Sequence, residues 1–235
     1  TESGTGGNAT FTVTLSEVSG QDVTVDYASS DVSTTAGSDY TAASGTVTIL
    51  AGNTTQTFNV PVLVDTLDEV NETSTLTLSN PTNATISDAT GTLTIVDDDA
   101  TPSLSINDVS YTESGTGGNA TFTVTLSEVS AQEVTVNYAS SNNTATAGSD
   151  YTAASGTVTI AAGATSATFN VPVSADTLDE ASETATMTLS SPTNATISDA
   201  TGTLTIVDDD ATPTLSVLDK SLNEDDTTTQ VSILL

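Results

Sequence analysis

The chain of 235 residues has no histidine, no cysteine and no tryptophan, and Lys220 is its one basic residue. Without imidazole or thiolate groups, disulfides and the usual zinc and copper ligands are excluded. One positive charge cannot neutralise a row of phosphates, so we expect no binding to nucleic acid or to anionic membrane surfaces. No apolar run approaches the roughly 20 residues of a membrane span, so we expect no direct membrane insertion.

The composition also lacks the groups that most enzymes use. The serines have no histidine to act as a base for nucleophilic catalysis. Paired carboxylates cleave glycosides in clefts lined by aromatic residues, whereas aromatics make up only 4% of this chain. We therefore expect that the protein is not an enzyme and predict no catalytic residue.

Acidic residues are abundant: 31 aspartates and glutamates give a net charge of -30. Such a chain attracts cations, and divalent ions are the obvious candidates. High acidity with few aromatics is also typical of disordered chains. The regular strand pattern described below argues against disorder.

A long internal repeat organises the chain. The segment that begins at Thr1 recurs from Thr112, an offset of 111 residues, and no insertion interrupts the match. A unit of this length exceeds the roughly 20–45 residues of a solenoid coil and suits an independent domain. We predict repeat one over residues 1–99 without its first strand, a complete repeat two over 100–210, and the start of a third over 211–235. We expect the chain to be a piece of a longer array.

Alternation of apolar residues with threonine dominates each repeat. Phe11, Val13 and Leu15, for example, alternate with Thr12 and Thr14. Period 2 places the apolar side chains on one face of a strand, and threonine suits the solvent face. With an early strand over 103–107, repeat two has about seven strands. The pattern predicts an all-β fold of tandem immunoglobulin-like Greek-key β-sandwiches with about seven strands each.

Two acidic segments of each repeat are predicted to meet. In repeat one, residues 65–72 follow the fifth predicted strand, and residues 97–99 follow the seventh, which runs parallel to it. Both segments therefore lie at one pole of the sandwich, where many carboxylates would repel each other. A Ca²⁺ ion with six to eight oxygen ligands would remove that repulsion. Solvated loop charges are the alternative, and two clusters at one pole favour calcium. EF-hand spacing is absent.

Four segments of repeat one, all of which recur in repeat two, resemble the Calx-beta domain family. Their sequences are TAGSDY (35–40), GTVTI (45–49), DEVNE (68–72) and GTLTIVDDD (91–99). Calx-beta domains occur in sodium/calcium exchangers, in an integrin β subunit and as tandem repeats in large bacterial surface proteins.

The resemblance implies calcium ligands at the same pole of each sandwich, including a backbone carbonyl of Leu67 and of Leu178. It also points to a departure, because exchanger domains carry more acids near Asp65 than the Val64 and Thr66 found here. Fewer carboxylates should mean fewer or weaker ions. The implied ligands are Glu2, Asp39, Asp65, Leu67, Glu69, Glu72, Asp97, Asp98 and Asp99 in repeat one, and Glu113, Asp150, Asp176, Leu178, Glu180, Glu183, Asp208, Asp209 and Asp210 in repeat two.

Near-identical repeats suit a protein whose task is length. We expect a calcium-binding spacer, stalk or filament segment of an extracellular adhesin or surface fibre. Its partners would be the neighbouring repeats of the same chain, with lateral association of chains into fibres as a further option. The linker 100–102 is short, so an ion at the preceding aspartates could stiffen the junction. A calcium-sensing module of a transporter and a glycan- or ligand-binding adhesive module, with exposed threonine rows, are the alternatives.

Overall fold

The structure is a computed structural model that describes residues 6–217, 219, 221, 224 and 233–234. It divides into two compact units. The first comprises Thr1–Pro102 with Glu128–Val134 and Ala161–Ala164, and the second comprises Ser103–Ser127, Thr135–Ile160 and Thr165–Leu235. Within the described ranges, no helix is long and apolar enough to cross a membrane.

Repeat one contains six strands in two sheets. One sheet pairs β1 with β4, and the other has the order β3-β2-β5-β6. Val60 of β4 and Leu76 of β5 share a buried cluster, so the two sheets pack face to face. The strands are β1 (Gly7–Thr14), β2 (Val23–Asp31), β3 (Ser44–Ile49), β4 (Thr55–Val62), β5 (Glu72–Thr82) and β6 (Thr90–Ile95).

Repeat two contains nine strands, three of which have four residues or fewer. Its sheets have the orders β11-β10-β13-β15-β8 and β12-β9-β7-β14, and β16 pairs with β17 beyond them. The nine strands are β7 (Ser103–Ile106), β8 (Val109–Thr112), β9 (Gly118–Leu126), β10 (Val134–Asn142), β11 (Ser155–Ile160), β12 (Ser166–Val173), β13 (Glu183–Thr193), β14 (Thr196–Ile197) and β15 (Thr201–Val207). The pair beyond them is β16 (Ser216–Val217) and β17 (Ile233–Leu234).

The predicted all-β sandwich class is confirmed. Among the long strands of repeat two, the chain crosses between sheets after β9, after β11 and after β12, as in an immunoglobulin-like Greek key. Tyr138 of β10 stacks on Phe169 of β12 with ring centroids 3.8 Å apart, which joins the two sheets. The core consists of the apolar residues that alternate with threonine, because period 2 points them all inward.

The early strand of repeat two differs from the prediction. Where one strand was expected over 103–107, the chain forms β7, breaks, and continues as β8 in the opposite sheet. The break is held by side chains: Thr123 N donates to Asn107 Oδ1 and Thr203 N donates to Asp108 Oδ1, each at 2.7 Å. These two polar side chains satisfy backbone groups of both sheets at the crossing.

Candidate metal centre

A tight turn fixes one aspartate of each repeat at the pole. In repeat one, Gly37 has φ of +98°, a conformation that favours glycine. Asp39 Oδ2 accepts a hydrogen bond from Thr35 N at 2.5 Å, and the next residue, Tyr40, is buried in the core. The turn thus anchors the segment on one side of the aspartate and leaves its carboxylate facing the loop ends. Repeat two repeats the arrangement, with Thr146 N donating to Asp150 Oδ2 at 2.6 Å.

Strand pairing brings the other acids to the same place. Glu72 is the first residue of β5 and lies opposite Ile95 at the end of β6, so Asp97–Asp99 emerge beside it. Hydrogen bonds from backbone N–H groups to side chains also connect the segments: Glu69 N donates to Asp97 Oδ1 at 3.2 Å, and Asp97 N donates to Asn71 Oδ1 at 3.0 Å. The antiparallel pair therefore explains why segments distant in sequence share one pole.

Three carboxylates in each repeat converge closely enough to share an ion. Asp39, Glu69 and Glu72 each offer an oxygen within 4.8 Å of the others, and Asp150, Glu180 and Glu183 do the same. Further acids interact electrostatically with these carboxylates, and we include them in two named clusters. Cluster one comprises Asp39, Asp65, Glu69, Glu72, Asp97 and Asp99. Cluster two comprises Glu113, Asp150, Asp176, Glu180, Glu183, Asp208 and Asp210.

Burial and the charges of neighbouring acids raise the pKa values of Glu69 and Asp99 in cluster one. Burial is the main cause of the raised pKa of Glu69, and the charges of Asp65, Asp39, Asp97 and Asp99 add to it. The pKa of Asp99 is also raised, first by burial and then by Asp97 and Asp65. Glu69 and Asp99 therefore ionise against the negative charges of their neighbours.

Cluster two shows the same pattern with one additional member. Burial raises the pKa of Glu113 to about 7, helped by the charges of Asp176, Asp208, Glu180 and Asp210. The pKa values of Glu180, Glu183 and Asp210 are raised as well, in each case chiefly by burial. The counterpart of Glu113 in repeat one, Glu2, lies outside the described residues.

Two buried carboxylate oxygens, Asp99 Oδ2 and Asp208 Oδ1, accept no hydrogen bond. They belong to the aspartate triplets of the two repeats, Asp99 as the third residue of its triplet and Asp208 as the first. Burying an ionised oxygen without a partner is costly, and a bound cation would supply the missing interaction. The donor set consists of oxygen atoms only, which is what Ca²⁺ prefers. The residues present therefore fit a hard divalent cation in both repeats.

The predicted ligands of each aspartate triplet differ in exposure. Asp98 and Asp209 are exposed, whereas Asp97, Asp99, Asp208 and Asp210 are half-buried, because alternate residues of an extended chain point in opposite directions. At Leu67 and Leu178 the structure shows the backbone N–H groups, which donate to Asp65 Oδ1 and Asp176 Oδ1 at 2.8 Å each. These bonds form tight turns that orient the loop aspartates.

Two residues with clear roles were missing from the predicted ligand set. Asn71 orients the start of the aspartate triplet, as described above, and its place inside the DEVNE segment is the signal that could have found it. Asp68 is buried and accepts a hydrogen bond from Ser130 Oγ at 2.8 Å, within the first compact unit. Ala131 N also donates to the carbonyl of Asp68 at 3.0 Å. No local sequence signal reveals a contact between residues 62 positions apart.

A model of the Calx-beta domain family matches residues 3–99 and again residues 97–210. The chain belongs to the Calx-beta family. The matches confirm the resemblance read from the four segments, and they cover both repeats. They also show that the acidic clusters occur within two consecutive Calx-beta domains.

Three solved structures are similar to the chain. CBD12 from CALX1.2 is 18% identical, covering 85% of this chain and 93% of that one, with a TM-score of 0.40. The calcium binding domain CBD12 of CALX1.1 is 21% identical, covering 79% and 74%, with a TM-score of 0.39. The apo-form Calx CBD1 domain is 19% identical, covering 47% and 100%, with a TM-score of 0.41. No curated protein sequence matches the chain.

Proposed function

We propose that each Calx-beta repeat of this chain binds Ca²⁺ at its acidic cluster. The observation that carries the proposal is the pair of buried oxygens without hydrogen-bond partners, Asp99 Oδ2 and Asp208 Oδ1. Burial and nearby negative charges raise the pKa of Asp99 itself and of Asp210, whose neighbours include Asp208. The whole sequence offers one basic residue against 31 acidic ones, so compensation for both clusters has to come from solution.

A bound calcium ion would supply positive charge and oxygen coordination. The chain's own residues prepare the site before the ion arrives. Asp39 is held by the N–H of Thr35, and Asp65 by the N–H of Leu67. Glu72 is held in place by its position at the start of β5. Preformed carboxylates lose little freedom on binding, which favours affinity.

We further propose that the tandem repeats serve as a calcium-stabilised spacer or stalk of an extracellular or cell-surface protein without enzymatic activity. Its support is the duplication itself, since two copies without an insertion suit a modular length element. Family membership also supports the alternative, a calcium-sensing module that regulates a transporter. A stiffened spacer should lengthen in small-angle scattering when calcium is added, whereas a sensor requires a calcium-dependent contact with its transporter.

Thermal unfolding of the full chain tests calcium binding directly. A ligand that binds only the folded state stabilises it by about 2.7 kcal/mol at 100 times its Kd. We expect an upward shift of Tm in millimolar calcium relative to a chelator. The matched control is the double variant Glu72→Gln/Glu183→Gln, which removes one proposed ligand from each cluster. An equal Tm in calcium and in chelator would refute the proposal, as would an unchanged shift in the double variant.

A further inference from the structure

A single carboxylate oxygen connects the two ends of the turn that carries Asp39. Asp31 is the last residue of β2. Its Oδ1 accepts hydrogen bonds from Ala36 N at 3.2 Å and from Tyr40 Oη at 2.7 Å. Ala36 lies near the start of the turn, and Tyr40 lies at its end and is buried in the core. Asp31 therefore spans the turn from outside, although it is not a member of cluster one.

Repeat two makes the same connection with a different residue. Asn142 aligns with Asp31 at the offset of 111 residues, and its Oδ1 accepts from Ala147 N at 3.0 Å and from Tyr151 Oη at 2.7 Å. Both side chains end in an oxygen that accepts hydrogen bonds, but only the aspartate carries a charge. The geometry common to the two repeats therefore requires an acceptor oxygen at this position and does not require a negative charge.

The amide that Asp31 binds is next to the amide that orients the proposed ligand. Thr35 N donates to Asp39 Oδ2 at 2.5 Å, and the following amide, that of Ala36, donates to Asp31. Repeat two has the same pair of bonds. Consecutive amides are linked by only two freely rotating backbone bonds, so fixing one amide restricts the other. The bond to Asp31 thus helps to fix the direction in which the Asp39 carboxylate points.

Backbone hydrogen bonds attach the chain on either side of the turn. Before it, Thr34 N donates to the carbonyl of Thr73 at 3.2 Å, and after it, Leu63 N donates to the carbonyl of Asp39 at 2.9 Å. The bond from Asp31 reaches the segment between these two attachments. It therefore restrains a part of the turn that the sheet itself does not hold.

We propose that Asp31 and Asn142 are positioning residues of the two calcium sites, which hold the turns that present Asp39 and Asp150 to the ion. The inference rests on the proposed binding of Ca²⁺ by the clusters. Neither residue has to touch the ion, because each acts through hydrogen bonds to its turn. A carboxylate that is already held in its binding direction loses less freedom when the ion binds.

The chain itself supplies the conservative variants. Asp31→Asn gives repeat one the residue of repeat two, Asn142→Asp makes the reverse change, and both keep the acceptor oxygen. We expect the calcium affinity of the altered cluster to stay within about threefold of its original value, the effect of one screened charge near the ion. Asp31→Leu and Asn142→Leu remove the oxygen. Because residues that orient metal ligands contribute about 10–100-fold in affinity, each leucine variant should lose that much at its own cluster only.

A double variant separates positioning from folding. Asp31→Leu takes the acceptor away from the Tyr40 hydroxyl, which by itself lowers stability. Asp31→Leu/Tyr40→Phe removes both partners of that bond, and removal of both partners by apolar groups of similar shape is nearly neutral. The double variant should therefore unfold at about the same temperature as Tyr40→Phe. It should still bind calcium about 10–100-fold more weakly at cluster one, because the bond to Ala36 is missing.

NMR spectroscopy of the full chain tests the proposal in two arms. In a series of buffered free calcium concentrations, the amides of Gly37 and Gly148, one in each turn, report the saturation of their own clusters. In chelator, hydrogen exchange of the Ala36 amide reports its bond to Asp31 without any ion. That exchange should quicken in Asp31→Leu and stay slow in Asp31→Asn.

The outcomes distinguish this inference from the proposed function. Absence of calcium binding by the unchanged chain would overturn both. If the unchanged chain binds calcium, an affinity that Asp31→Leu does not alter would overturn the positioning role alone. Equal losses in Asp31→Asn and Asp31→Leu would do the same, since the charge and not the oxygen would then matter. So would a loss at both clusters in either leucine variant, or an Ala36 amide that exchanges equally fast in all variants.

Discussion

The acidic segments at the poles of the two repeats have nearly the same sequence but differ in burial. Asp39 and Asp68 of repeat one are buried, whereas Asp150 is half-buried and Asp179 is exposed. Glu69 is half-buried and its counterpart Glu180 is exposed. In the first compact unit the loop is contacted by the turn of residues 130–132, through Asp68. The dielectric environment of the same ligand residues therefore depends on which segment packs against the loop.

The largest expected effect is a loss of calcium affinity at one cluster while the other cluster keeps its affinity. Glu69→Gln keeps the shape of the side chain but removes one charge from cluster one, and Glu180→Gln does the same in cluster two. Even outer-shell changes at metal sites cost about 10–100-fold in affinity, so we expect at least about a tenfold loss at the altered cluster and no change at the other. Calorimetric titration with calcium measures both sites. Equal weakening of both by either variant would contradict two independent clusters.

The next effect is a pH dependence contributed by Glu113. Its pKa is about 7 in the folded chain and is ordinarily about 4.5, so between these values the folded state holds the proton that the unfolded state has lost. The free energy of unfolding without calcium should therefore fall as pH rises from about 4.5 to about 7. Proton and calcium compete, so calcium affinity of cluster two should rise over the same range.

Denaturant unfolding in chelator at several pH values measures the contribution of Glu113. Glu113→Gln should flatten the decline in stability, since the amide does not titrate. Glu128→Gln, at an exposed acid, controls for the change in net charge. An unaltered slope in Glu113→Gln would exclude this residue as the cause.

A smaller effect is expected on stability, where alanine substitutions at Asp68 and at Asp179 should differ in cost. Asp68→Ala removes the carboxylate that accepts from Ser130 Oγ at 2.8 Å, and a hydrogen bond to a charged group contributes about 1.5–3 kcal/mol. Asp179→Ala, at an exposed position, should change stability by less than about 0.5 kcal/mol. Chemical denaturation gives both values, and hydrogen exchange of the Ala131 amide should quicken only in Asp68→Ala. Equal losses in the two variants would show that the turn contributes nothing.

The smallest effect concerns an exposed pair far from the pole. Hydrogen bonds from Thr46 Oγ1 at 2.6 Å and Asn80 Nδ2 at 3.1 Å lower the pKa of Asp26. Thr46→Ala should move this pKa back up, as followed by NMR titration of the carboxyl group. Repeat two has Asn137 there, hydrogen-bonded to Thr157 at 2.8 Å, so Thr157→Ala should alter no titration. A pKa of Asp26 that does not respond would mean that the Thr46 bond does not persist in solution.

Most of the fold was predictable because its signals are local. Alternation of apolar residues with threonine located the long strands, and the repeat offset transferred each one to the second domain. The short strands β8 and β14 were not predicted, since two to four residues carry too little periodicity. The switch between β7 and β8 depends on Asn107 and Asp108 bonding to residues about 16 and 95 positions away.

The sequence predicted which residues form the candidate site better than it predicted their orientation and burial. Chain direction indicated that the loop 65–72 and the triplet 97–99 share a pole, and the structure brings Glu69 next to Asp97. Which acids face inward depends on the alternation within the triplet. The burial of Asp68 depends on a turn from a distant part of the sequence. Such non-local packing carries no signature in a single sequence.

The parallel pairing of β15 with β8 has a mechanical consequence. Four residue pairs, from Leu204 with Val109 to Val207 with Thr112, join the last long strand of repeat two to a strand near its start. A stretching force on the two ends of the repeat would pull these strands in opposite directions along their length. The hydrogen bonds between them would then bear the load together, in shear, instead of opening one after another.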